Sequence, residues 1–389
     1  MRKLVSLLAG SLLFAAAPAL AQQSQGVSDT EIVIGAHTAL TGPVAPWGIG
    51  STNGMRLRFD EENDKGGIHG RKIKFIVEDH GYQVPRAVQA GNKLLNSDKI
   101  FLMAGALGTP MNNAVFQQQL ALGVPNLGPF TAARSMSHPL HKLKFATLSS
   151  YYDQVRAGFK YFVEKKGVKA PCVMYQDTEF GQEILEGARD QAKAMNVKIA
   201  AEAGHKPADT DFTGAIAKLR EAQCDLVVMG TIVRDTIIPY ATARKLGWNV
   251  PFVGTSASYE NVVATAQGGI TEGYYTLNGQ EVLYPDQIEA KEAKAFFEKY
   301  KAKFGQDPFY PAQLGYGLAE MIVDSLQRAG KDLTTASFLK AFESIKDRVG
   351  PLGGPPITFT PEQHLGSSLV FLAAVEKGRW KSVEKNLKY

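Results

Sequence analysis

The sequence predicts an α/β protein made of two doubly wound lobes, and three observations carry that expectation. Short apolar strands alternate with helical stretches of ten or more residues, which implies parallel pairing. The alternation runs through twice, with a break near Ser150. The chain has 389 residues, 44% hydrophobic and 21% charged, an ordinary globular composition over more length than one core usually serves.

The elements follow in order. Arg2-Lys3, the apolar run Leu4–Ala17 and the small residues Ala19-Leu20-Ala21 before Gln22 form the pattern of a secretory signal peptide over residues 1–21. The run is short of a membrane span, and no Cys near the cut offers a lipid anchor, so a free periplasmic protein of a Gram-negative cell is expected. Loss of the signal lowers the formal charge from +5 to +3, 41 basic against 38 acidic residues. The charges are interleaved, as in Lys291-Glu292-Ala293-Lys294, which fits solvated helix faces and excludes nucleic acid as the partner.

The first unit opens with the strand Ile32–His37, a Gly/Pro-rich loop Thr41–Gly48 containing Trp47, a helix, the turn Gly66–Lys72 and the strand Lys72–Glu78, closed by Glu78-Asp79. Val84, Val88, Gly91 and Leu94-Leu95 mark a helix, Ile100–Ala104 a strand, Asn113–Leu122 a helix and Val124–Leu127 a strand. The second unit has helices Asp153–Lys166, Gln182–Met195, Phe212–Ala222 and Thr236–Leu246, and strands Cys172–Tyr175, Val197–Ala201, Leu226–Met229 and Phe252–Thr255. Both units read as Rossmann-like. Helical segments Gln287–Phe304, Pro311–Ala329 and Thr335–Ile345 come next, and the strand-like runs Ile357–Phe359 and Leu369–Glu376 end the pattern.

Cys172 opens the first strand of the second unit, and Cys224 immediately precedes the run Asp225–Met229 that holds the third. Those strands lie side by side in a doubly wound sheet, so both sulfurs fall at one edge. In an oxidising compartment a disulfide is expected, with two buried free thiols as the alternative.

Gly105-Ala106-Leu107-Gly108-Thr109-Pro110 directly follows a strand. Glycines there let backbone N–H groups approach a ligand, and Thr109 at a helix start can bind an anion with its hydroxyl. A carboxylate is the obvious guest, and Phe130-Thr131-Ala132 offers similar chemistry one strand over. The plainer reading is that Thr109 and Thr131 are only caps. Enzyme motifs are wanting. Gly48-Ile49-Gly50-Ser51-Thr52-Asn53-Gly54 has one residue too many for the dinucleotide fingerprint, His138-Pro139-Leu140-His141 lacks a third metal ligand, and neither a Gly-x-Ser-x-Gly elbow nor a P-loop occurs. Glu61-Glu62 and Asp177/Glu179 are not a recognisable catalytic pair. No cofactor or metal is expected.

The strand, Trp-bearing loop, glycine turn and Glu78-Asp79 together resemble the opening of the branched-chain amino acid binding family of periplasmic solute receptors, and the resemblance extends over essentially the whole mature chain. It implies a type I periplasmic binding protein fold, in which three hinge crossings join the lobes, here near Ser149–Tyr152, Leu277–Glu281 and Gly350–Pro355. Lobe 1 would comprise residues 27–150 and 279–355, and lobe 2 residues 151–278 and 356–389. The resemblance implies a ligand carboxylate gripped by Gly108, Thr109 and the Phe130–Ala132 segment. It places Trp47 and Phe180 as aromatic walls and brings Tyr151 and Tyr152 to the cleft. Arg234 would either meet the ligand or pair with Asp235 or Asp211. Amino-acid-binding members carry an acid where this chain has Ser256 and an aromatic polar residue where it has Ile232. A buried ammonium without a counter-charge is costly, so the implied ligand is a small aromatic carboxylate without an amino group. A branched-chain amino acid or another aliphatic acid is the alternative. The implied partners are the permease subunits of an ABC importer with a cytoplasmic ATPase, the receptor being a monomer. A sensor domain for a signalling partner would use the same fold.

Overall fold

The computed structural model describes residues 24–389, so the expected signal peptide lies outside the described residues. A five-stranded parallel sheet holds β1 (Glu31–Thr38), β2 (Lys72–Asp79), β3 (Leu102–Ala104), β4 (Asn126–Leu127) and β5 (Lys144–Phe145) in the order β2-β1-β3-β4-β5. A seven-stranded sheet begins with β6 (Pro171–Gln176), β7 (Ala201–His205), β8 (Leu226–Gly230), β9 (Phe252–Gly254) and β10 (Tyr275–Asn278), all parallel. A hairpin of β11 (Arg348–Gly350) and β12 (Gly353–Ile357) follows. The antiparallel strands β13 (Val370–Glu376) and β14 (Arg379–Leu387) then complete the second sheet in the order β14-β13-β10-β9-β8-β6-β7. The two sheets define a first and a second lobe, and each reverses its strand order where a doubly wound sheet places its ligand crevice.

Burial follows the pattern of the sequence. Ile32, Ile34 and Ala36 of β1 are fully buried, as are Leu226, Val227 and Met229 of β8. The helices Tyr310–Ala329 and Thr335–Glu343 pack on the first sheet, where Leu318, Ile322, Phe338 and Phe342 share one core with Ile34 and Phe101. The helix Ala45–Asp64 lies against Tyr310–Ala329 so closely that a Cβ on Gly54 would collide with the Ala312 carbonyl and one on Gly315 with that of Ser51. Cys172 and Cys224 form a disulfide with their Cα atoms 5.7 Å apart, which joins β6 to the approach of its neighbour β8.

The structure corrects several boundaries. The helix after β1 starts at Ala45, so Trp47 sits in its first turn rather than in a loop, with Pro46 at a position that needs no N–H donor. The strand expected over Val197–Ala201 is displaced to Ala201–His205. The Val197 N–H still closes the preceding helix onto the Ala192 carbonyl, and Asn196 turns the chain at φ +55°. The third crossing does not lie at Gly350–Pro355. Phe359 and His364 still pack on Phe145 of the first sheet, with ring centroids 5.4 and 3.8 Å away, and the Ala146 N–H donates to the His364 carbonyl at 2.9 Å. The chain leaves the first lobe only between Gly366 and Val370, so the stretch 356–366 belongs with the first sheet.

Candidate functional site

β3 ends at Ala104, and its loop turns through Gly105 (φ +62°) and Gly108 (φ +94°), left-handed conformations that favour glycine. Gly108 caps the helix Thr109–Ala121, and Gly108 and Thr109 at its start line the space between the lobes. The buried Thr109 hydroxyl lies 2.6 Å from that of Thr131, so the two strand ends meet in one hydroxyl pair. The loop is held from behind. His80 Nδ1 accepts the Tyr82 N–H at 3.0 Å, and Nε2 lies 3.2 Å from the Leu107 carbonyl, to which it donates in the tautomer that the first contact requires. Burial lowers the His80 pKa to about 4 and keeps the ring neutral for this task.

Aromatic side chains wall the space in front of the pair. Trp47 meets Tyr310 edge-on at 5.7 Å and Phe130 at 6.5 Å, while Tyr151 and Phe180 face each other at 5.0 Å. The Trp47 Nε1 is buried without a protein partner. Tyr310 donates its hydroxyl to Asn278 Oδ1 at 2.7 Å, which fixes the ring. Burial pushes the Tyr151 hydroxyl up to about 12, so it stays a neutral donor beside Thr131. These side chains line a single cavity that opens at one side.

The second lobe contributes Phe180, Ile232, Ser256 and Ala257. Ser256 is pinned by Gln154, which accepts the Ser256 N–H at 3.0 Å and donates to its hydroxyl at 3.2 Å. Among the described residues that line the cavity none is Asp, Glu or Lys. Glu260, the next acid after Ser256, is buried elsewhere, where it caps the short helix Asn261–Ala264.

Ten of the residues singled out in the sequence line this one cavity: Trp47, Gly108, Thr109, Phe130, Thr131, Ala132, Tyr151, Phe180, Ile232 and Ser256. Two do not. Arg234 turns away to Asp235 Oδ1 at 2.6 Å and the Pro207 carbonyl at 2.8 Å, because burial of that carboxylate demands a partner. Tyr152 donates to Asp190 Oδ2 at 2.7 Å, with the Arg134 guanidinium 3.9 Å over its ring. It belongs to a charged cluster at the mouth. There Arg134 of the first lobe gives its N–H to both oxygens of Glu183 of the second, at 3.0 and 3.1 Å, and its side chain pairs with Glu183 and Glu186. Burial pushes Glu183 up to about 7. Sequence reasoning missed Tyr82 and Tyr310. Their only signal was an aromatic beside Gly81 and one at a helix start before Pro311, neither of which distinguishes a wall from a core residue.

The profile of the periplasmic binding protein family matches residues 31–379. The chain belongs to that family. A leucine-, isoleucine-, valine-, threonine- and alanine-binding protein of Pseudomonas aeruginosa is 24% identical over 328 residues, 82% of this chain and 84% of that one. Among solved structures, a fatty acid ABC transporter substrate-binding protein from Thermomonospora curvata superposes with a TM-score of 0.84 at 24% identity, covering 95% of each chain. A solute-binding protein of an ABC transporter from R. palustris, in complex with benzoate, does so with a TM-score of 0.80 at 18% identity, covering 92% of this chain and 97% of that one. Periplasmic binding proteins bind small-molecule solutes for ABC transporter permeases and are not enzymes at the family level. No group of three metal-ligating side chains and no helix long and apolar enough to cross a membrane occurs among the described residues.

Proposed function

We propose that this periplasmic binding protein is the substrate-binding component of an ABC importer for a small aromatic carboxylate of benzoate, phenylacetate or hydroxycinnamate type. One observation carries the reading: a hydroxyl pair at a helix N-terminus opens onto aromatic walls in a cavity with no acid to neutralise an amine. The carboxylate takes the Thr109 and Thr131 hydroxyls and the helix N–H groups, and Trp47, Phe130, Tyr151 and Phe180 pack on the ring by edge and offset contacts. Arg134 and Glu183 hold the mouth shut across the lobes, so the ligand enters before the hinge closes. The closed monomer then docks on the permease with its cytoplasmic ATPase. A second reading, an aliphatic acid, keeps the same anion grip. It is favoured by the apolar side chains Val44, Leu107 and Ile232 among the rings.

Calorimetric titration of benzoate, phenylacetate and hydroxycinnamate against leucine, isoleucine and valine tests the assignment. Binding of the aromatic acids is expected, and a response to the amino acids alone would overturn it. Thr109→Val is expected to weaken carboxylate binding by roughly 1–3 kcal/mol, the loss of a hydrogen bond to a charged group. Equal affinities for the variant and the parent protein would remove Thr109 from the site.

A further inference from the structure

The cavity does not end at the aromatic walls. Its lining on the helix Tyr310–Ala329 is Tyr310, Gln313, Leu314, Gly317, Leu318 and Met321, which is spacing i, i+3, i+4, i+7, i+8 and i+11 along one face. Eleven residues of α-helix rise about 16 Å, so the cavity follows the helix for three turns. The anion grip lies towards the Tyr310 end, because Tyr310 stands near Tyr151, whose hydroxyl is beside Thr131. A single ring with its carboxylate covers less than half of that run. The rest of the lining includes the apolar Ala146, Leu148, Leu352 and Ile357, with Thr147 and Gln280 as polar members. The one charged lining residue, Arg348 at the far end, is already paired with Asp324 at 3.1 Å and Glu320 at 3.8 Å.

Gly317 stands midway along this arm. Glycine inside a helix weakens it, and the nearby helical glycines have packing reasons: a Cβ at Gly315 would strike the Ser51 carbonyl, and one at Gly54 the Ala312 carbonyl. Gly317 has neither that reason nor a left-handed φ. A Cβ there would meet no atom within 4 Å. What its missing side chain leaves is lumen.

We infer that the arm along Leu314, Gly317, Leu318 and Met321 is a second subsite, which takes an apolar tail carried by the carboxylate that the hydroxyl pair holds. The ligand class is then a tailed monocarboxylic acid, an ω-aryl alkanoate or a medium-chain fatty acid, rather than a bare benzoate. This deepens the carboxylate reading and rests on it. The tail adds apolar area removed from water without adding any polar group that must be satisfied.

The test is calorimetry with benzoate, 4-phenylbutyrate and decanoate on the full mature protein and on Gly317→Leu and Gly317→Ala. The parent protein is expected to bind at least one tailed acid ten or more times more tightly than benzoate. Gly317→Leu should erase that advantage while leaving benzoate within about twofold, and Gly317→Ala should reduce it several-fold. Thermal unfolding confirms that both variants fold, and Gly317→Ala carries the test if Gly317→Leu does not. Benzoate binding with no preference for either tail, or a preference untouched by both variants, would overturn the subsite and leave the carboxylate reading standing. Failure of all three acids where leucine binds would overturn both.

Discussion

Replacing Cys172 and Cys224 together by alanine is expected to lower the stability of the second lobe by about 4 kcal/mol in the loop-entropy model. The bridge spans 52 positions in sequence, and the enclosed segment holds β6, the helix Glu179–Ala194, β7 and the helix Thr213–Glu221. In the folded sheet Pro171 and Cys172 already pair with Leu226 and Val227, so the native arrangement does not need the bridge to bring the strands together. Its effect falls on the unfolded chain, which without it gains the conformations of a long open loop. Both sulfurs are buried, and the lost contacts add to the cost. Urea unfolding of the oxidised parent and of the double variant measures the difference, and coincident midpoints would show that the bridge contributes nothing. An exported protein meets the oxidising conditions in which the bond persists.

The second large effect is the response to pH. Burial pushes the Glu183 and Glu260 carboxyls up to about 7 from an ordinary 4.5, so folding takes up a proton at each between those values. The stability they contribute is complete below pH 4.5 and is lost as pH rises through 7. That amounts to roughly 2–3 kcal/mol each between pH 5 and pH 8. The buried histidines act on the other side. Burial holds His37 at about 3 and His80 at about 4, below the usual 6.5. Their contribution is present above pH 6.5 and is lost as pH falls from there towards those values. Between about pH 4.5 and 6.5 the two trends oppose each other, so the thermal midpoint is expected to be flattest there and to decline on both sides. Glu260→Gln keeps an oxygen to accept the Asn261 N–H that Glu260 caps and removes the charge. It should abolish about half of the loss that the two carboxyls cause on the alkaline side. A variant that loses stability between pH 6.5 and 8 as steeply as the parent would show that the Glu260 proton is not involved.

Much of this architecture is legible in the sequence because local pattern and tertiary role agree. β1, β6 and β8 are buried on both faces and read as unbroken apolar runs, and Gly105 to Pro110 announces a ligand loop by its glycines. Legibility fails where a strand is defined by its neighbour rather than by itself. β5 is two residues long and β10 four, so neither carries a period, and β14 (Arg379–Leu387) is a charged edge strand paired on one side only. The third crossing is not legible because Gly350–Pro355 has the composition of a linker, whereas what decides its place is the stacking of His364 on Phe145 across more than two hundred residues. Arg234 shows the same limit. Its position at a strand end and Asp235 as one candidate partner are visible in sequence, but the full burial of Asp235, which decides for the pairing, is not. The second arm of the cavity left no sequence signal at all, since a helical glycine looks the same whether a Cβ would strike a carbonyl or empty space.

The contact between the helices Ala45–Asp64 and Tyr310–Ala329 bears on how such a receptor changes its diet. The two are fitted backbone to backbone at Gly54 and Gly315, where no side chain can be added. Trp47 rides on one of these helices, and Tyr310, Leu314 and Leu318 ride on the other. The frame of the pocket is therefore fixed by atoms that mutation cannot alter except at those glycines, while the side chains hung on it are free to vary. Single substitutions at 314, 317 or 318 can lengthen, shorten or reshape the lumen one residue at a time without shifting the anion grip. Descendants of one such scaffold can thus diverge in the solute they import while the folded frame is inherited intact.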